Sequence, residues 1–92
     1  MRPSEDDLDV VVDLSTTLSA EELARVFSRA GWQTRRCTWV DWEVTCEGAE
    51  LVIEATAPPV VHGHVARGAD FRTLLAPLTA AGLAWDVEVR GR

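Results

Sequence analysis

Few residues in this 92-residue chain are equipped for chemistry. His62-Gly63-His64 sets two imidazoles on one side of any extended segment that carries them, at most about 7 Å apart. Such a pair ligates zinc when two further carboxylates or thiolates complete a tetrahedron. No such ligand stands at a diagnostic spacing, so His62 and His64 are weak metal candidates, and no cofactor is expected. Cys37 follows Arg35 and Arg36, whose positive charge favours a thiolate. A nucleophilic thiol also needs a base, and only the two histidines exist to supply one. Cys37 and Cys46 do not make a disulfide scaffold, and both read as small apolar residues in or near the core. All 9 basic residues are Arg, with no Lys and no Tyr, which excludes Schiff-base chemistry on a lysine and a tyrosine general acid. The chain has no glycine-rich phosphate loop, nucleophile elbow, CxxC, HExxH or calcium loop. An enzyme is not expected.

The other chemical feature is a charged surface. In the stretch Thr38 to Thr56, Val40, Trp42, Val44 and Cys46 fall on one parity, with Leu51, Ile53 and Ala55 as the matching set across a turn at residues 47–50. Asp41, Glu43, Glu47, Glu50 and Glu54 fall on the other. Alternation with period two is the pattern of strands buried on one face. Extended to the remaining strands, the outward set comprises Asp9, Val11, Asp13, Asp41, Glu43, Glu50, Val52, Glu54, Asp86 and Glu88, with Trp39 a further candidate. Acidic residues carrying a few apolar anchors suit a basic protein partner: the charges steer encounter, and an aromatic side chain is the usual hot spot. An ordinary solvated sheet face explains the same carboxylates without any partner.

Several elements must position these residues. Residues 1–7 read as a frayed acidic tail and 8–92 as a single domain. Leu8 to Leu14 alternates as a strand, with Leu8, Val10, Val12 and Leu14 inward. Ser19 and Glu22 form a capping box opening a helix, whose apolar stripe includes Leu23, Ala24 and Phe27 and which Gly31 ends. Glu21 can pair with Arg25 one turn later. Residues 33–40 are extended, but Cys37 and Trp39 conflict in parity with Val40, Trp42 and Val44. Either a bulge or a turn lies near Val40-Asp41, or Trp39 faces outward. Of the other tryptophans, Trp42 and Trp85 read as core, and Trp32 packs under the helix cap. Pro58-Pro59 breaks the chain, after which residues 60–68 form a short edge strand or a loop. Asp70 caps a second helix that runs to Leu83, kinked or restarted at Pro77. Leu83 to Val89 alternates as the last strand.

Two strand–helix–strand halves predict an α+β, ferredoxin-like βαββαβ sandwich: an antiparallel sheet with two helices on one face, and an extra short strand near residues 60–66. The net charge of −6 excludes DNA and anionic membranes as partners. RNA recognition would need exposed aromatics in a basic surround, and both phenylalanines read as helical. A signal peptide is not expected after an acidic N-terminus, so a cytoplasmic setting is. The functional expectation is a small, non-catalytic interaction module for a basic protein, such as a toxin-neutralising immunity protein or an accessory regulatory domain. The alternatives are a homodimer binding a small ligand and, below it, a metal- or thiol-dependent enzyme.

Overall fold

The computed structural model describes residues 7–90. The expected tail at residues 1–6 therefore lies outside the described residues, as do 91 and 92, whereas Asp7 already belongs to the first strand. In chain order the elements are β1 (Asp7–Ser15), α1 (Ala20–Arg29), β2 (Gln33–Arg36), β3 (Trp42–Cys46), β4 (Ala49–Glu54), β5 (Val60–Ala66), α2 (Phe71–Leu74), α3 (Ala76–Ala80) and β6 (Ala84–Arg90). The strands form one sheet in the order β2-β3-β4-β5-β1-β6, with every neighbouring pair antiparallel.

The α+β class and the antiparallel sheet are as the alternation predicts. The ferredoxin-like order is not, for two reasons. Residues 33–46 do not make one strand: they fold back on themselves as the β2–β3 hairpin, closed by Cys37 N–H donating to the Asp41 carbonyl at 3.1 Å. Residues 60–66 are neither edge strand nor loop. They form β5 between β4 and β1, near the middle of the sheet. Val61 and Val65 point inward there and are buried.

The local rules hold well elsewhere. Ser19 Oγ accepts from the Glu22 amide at 3.1 Å, and the Glu22 carboxylate accepts from the Ser19 amide at 2.9 Å. Such a cap stabilises a helix start by about 1 kcal/mol. Glu21 and Arg25 pair at 2.9 Å. The β3–β4 hairpin turns on Glu47-Gly48 alone, and Gly48 takes φ 100°, a conformation that a side chain disfavours. Asp70 caps the second helical segment as expected. At Pro77 the chain restarts rather than kinks, so α2 and α3 are separate short helices. Among the described residues no helix is long and apolar enough to cross a membrane.

The helices cover one side of the sheet. α1 lies over β2, β3 and β4 and touches α3, which in turn packs on β6. Leu23, Phe27, Leu75 and Leu78 come down from the helices onto Val44, Leu51, Ile53 and Val61, all essentially without exposure. Burying side chains of this size contributes about 1.5–3 kcal/mol each. Trp32 packs edge-on against Phe27, with ring centroids 4.7 Å apart, as its place after the cap suggests. Trp42 and Trp85 are half-buried at the margin of the core rather than inside it.

Gly63 occupies the inward position of β5 between Val61 and Val65. A Cβ built there would collide with the Glu50 carbonyl oxygen and come within 2.8 Å of Leu51 Cα. The absence of a side chain lets β4 approach at the centre of the sheet. Gly63→Ala should lower stability by about 1–3 kcal/mol in urea denaturation. Unchanged stability would show that β4 and β5 do not approach this closely.

Candidate functional site

The opposite face of the sheet is bare among the described residues, because no helix or loop packs on it. Strand register arranges its side chains in rows that cross the sheet. One row runs Gln33, Thr45, Glu50, His64, Asp9 and Arg90 from β2 to β6. The next runs Arg35, Glu43, Val52, His62, Val11 and Glu88. Beyond them lie Glu54 beside Val60, and Asp13 beside Asp86. Asp9, Val11, Glu43, Val52, Glu54, Asp86 and Glu88 thus all occupy the face that parity assigns them.

Two expectations about this surface need correction. Asp41 is not on the face: it precedes β3, and its Oδ1 accepts from the Ala55 amide at 2.8 Å, tying the β2–β3 hairpin to the end of β4. Trp39 lies off the strands altogether. The Thr38 hydroxyl accepts from the amides of Val40 and Asp41, at 3.3 and 2.9 Å, and this side-chain turn displays Trp39 and Val40 at the hairpin tip. Trp39 is 90% exposed and Val40 58%. A turn therefore resolves the parity conflict, and it exposes Trp39 where a bulge would bury it. The tip is on the β2 side of the sheet. Asp86 and Glu88 are on β6, five strand spacings or about 24 Å away, so Trp39 and this acidic pair are not brought together.

The face is more balanced than the list of carboxylates suggests. Arg35 Nε donates to Glu43 at 2.7 Å, and this contact holds the guanidinium pKa above its ordinary value, first by the hydrogen bond and then by the negative charge. His62 Nε2 sits 2.7 Å from Glu54, and His64 Nδ1 sits 2.8 Å from Asp9. The two imidazoles do share one side of a strand, but each faces its own carboxylate. Among the described residues no three His, Cys, Asp or Glu side chains gather closely enough to hold a metal ion. Arg35, Arg90 and the histidines were absent from the outward set read from sequence. The alternation of Val61 and Val65 about Gly63 is the signal that would have placed the histidines there.

Glu50 on β4 has no ion-pair partner among the described residues, and the rest of the face's unpaired acid is on β1 and β6. Asp13 and Asp86 stand directly opposite each other, with Glu88 two residues along, and among the described residues no ion pair reaches any of them. Like charges placed opposite destabilise a sheet by a few tenths of a kcal/mol or more. At the centre, Val52 and Val11 are half-buried on either side of the His62 imidazole.

Of the two cysteines, Cys46 packs against the core as expected, and Cys37 does not. Cys37 is exposed at the base of the hairpin tip, and Cys46 is half-buried at the β3–β4 turn. Burial pushes the Cys46 thiol pKa up. No protein-family model, curated protein or solved structure matches this chain.

Two measurements check this placement. A thiol reagent at neutral pH should modify Cys37 roughly tenfold faster than Cys46, because Cys46 is less accessible and its burial disfavours the thiolate. Equal rates would contradict the burial at β3. Trp39→Phe should remove the most quencher-accessible part of the tryptophan fluorescence while changing stability by less than about 0.5 kcal/mol. A larger loss would mean that the ring is packed.

Proposed function

We propose that this protein is a non-catalytic docking module that binds a basic protein through its outer sheet face, with Trp39 as a rim anchor. Neutralising a basic toxin and regulating a larger effector are both roles of this kind, and a cytoplasmic setting suits the reduced cysteines. The observation that carries the reading is the bare, six-stranded face with its uncompensated acid on β1 and β6. Buried sheets have helices on both sides. A face left open, with two half-buried valines, Val11 and Val52, near its centre, offers a small interface core inside a polar rim.

Size sets the terms of binding. Six strands at about 4.8 Å spacing and some six residues at about 3.4 Å give a face of roughly 600 Å². A standard interface takes about 800 Å² from each partner. The whole face must therefore engage, and the hairpin tip with Trp39 and Val40 supplies most of the remaining area. Stacking two copies of this face would set the same carboxylates against each other, which favours a different, basic partner over a homodimer.

The test starts with the partner captured by the wild-type chain from its native cell lysate. Its affinity should fall as salt rises, and Glu50→Lys with Glu88→Lys should weaken it at least about tenfold, both variants remaining folded. Trp39→Ala should cost about 1–2 kcal/mol of binding. Affinity indifferent to salt and to both lysines would refute the reading.

A further inference from the structure

The two edges of the sheet differ in a way that the face alone does not explain. β2 is four residues long and carries Arg35 and Arg36, with the Arg36 guanidinium 5.3 Å from the centre of the Trp42 ring. A short edge bearing charges is a protected one. β6 spans seven residues, and among the described residues no strand pairs with its outer edge.

Its backbone polarity can be read from one hydrogen bond. The Val87 amide donates to its neighbour's Asp86 Oδ1 at 2.9 Å. It therefore does not donate to Val12, the residue opposite it on β1. Antiparallel ladders alternate, so the amides and carbonyls of Trp85, Val87 and Val89 all face the open edge, while those of Asp86 and Glu88 face β1. The Asp86 carboxylate stands where the carbonyl of an added strand would accept.

The side chains beside this edge also sort by face. On the helix side, an open groove of about 980 Å³ runs between β6 and the two short helices, lined by Phe71, Ala76, Thr79, Trp85 and Val87 and also by the charged residues Asp70, Arg72 and Asp86. Trp85 is held there by its Nε1 donating to Thr79 Oγ1 at 2.9 Å. Val89, half exposed, continues the apolar row. On the outer side are Asp86, Glu88 and, across on β1, Asp13.

We propose that β6 is a strand-addition site for an extended segment of the partner in which apolar residues alternate with arginine or lysine. Residues opposite Trp85, Val87 and Val89 would exchange backbone hydrogen bonds with β6 and turn their side chains into the groove. Those opposite Asp86 and Glu88 would present cations to the unpaired carboxylates. Strand addition takes its affinity from main-chain bonds and its specificity from alternate side chains. As the added strand docks, it displaces the Asp86 carboxylate from the Val87 amide and leaves it free to pair with a basic side chain. A second copy of β6 is a poorer occupant: antiparallel pairing over all seven residues would set Asp86 opposite Glu88 twice. This inference rests on the basic-partner reading and adds the segment and the edge that it would use.

The probe is a blocked nine-residue peptide of alternating valine and arginine, compared with a block isomer of the same composition and with versions N-methylated at the valines or at the arginines. Binding of the alternating peptide should slow hydrogen exchange at the amides of Trp85, Val87 and Val89, followed by NMR on the full chain. Methylation at the valines, whose N–H groups would face β6, should weaken binding at least about tenfold. Methylation at the arginines should leave it within about twofold. No binding, equal affinity for the block isomer, or equal loss from both methylations would overturn strand addition. So would protection of these amides that rises with protein concentration in the absence of peptide, which marks a second copy as the occupant. Charge-dependent binding that perturbs Glu50 and Val52 but ignores methylation would overturn the edge and leave docking on the sheet face standing.

Discussion

Burial of one side of the sheet beneath α1 and α3 dictates which way every side chain in the six strands points. Val44, Leu51, Ile53 and Val61 sit with essentially no exposure under Leu23, Phe27, Leu75 and Leu78, and no polar or charged residue is buried among the described residues. A slip of one residue in β1, β3, β4 or β6 would set carboxylates in place of apolar residues, and in β5 it would set histidines there. Desolvating even one unpaired carboxylate costs more than a buried valine contributes. The outer face is therefore polar by exclusion from the inner one. Exclusion does not choose the sign of the charge, however. It would be satisfied equally by a mixed surface, and on β3, β4 and β5 a mixed surface is what the chain has. The imbalance on β1 and β6 is the part that the core does not account for.

Where a segment's own residues express this constraint, the sequence is legible. β1, the β3–β4 hairpin and β6 alternate, apart from Val11 and Val52 on the outer face, because each contributes aliphatic residues to the inner face. α1 declares both its ends through Ser19, Glu22 and Gly31. β2 does not alternate, because an edge strand is only partly covered: its inward positions are Thr34 and Arg36, and Arg36 can lie over Trp42 with its charge in water. That polar strand hides the hairpin, and with it the turn that exposes Trp39. β5 is obscured for the opposite reason. Its central inward residue had to be Gly63, because β4 approaches too closely for a side chain, so a central strand looks like a loop following a pair of prolines.

The candidate site inherits the same limits. Glu43, Val52 and Glu54 are placed by a parity that their own hairpin enforces. Asp41 breaks the rule because the strand has not yet begun there, and its carboxylate is used by a backbone amide. Strand order was the least accessible property. The insertion of β1 between β5 and β6 is a non-local pairing, and no local pattern encodes it. The register that puts His64 beside Asp9, and Asp13 beside Asp86, follows from that insertion alone. Both the mixed half of the face and its more acidic half are thus products of topology.

An open edge as long as β6 has to be kept from pairing indiscriminately. Among the described residues no proline, bulge or covering loop stands there. The chain relies on Asp86, which occupies the edge amide of Val87, and on carboxylates that oppose one another in the full-length self-paired register. The same groups set the terms for any strand that does add. Main-chain hydrogen bonds are offered equally to every extended segment and carry no discrimination. Apolar burial in the groove beside Trp85 favours alternation but not charge. Only the carboxylates distinguish a basic strand from an acidic or neutral one, and they do so by being unfavourable until a cation arrives. Protection of the edge and choice of partner are in this way one electrostatic arrangement rather than two.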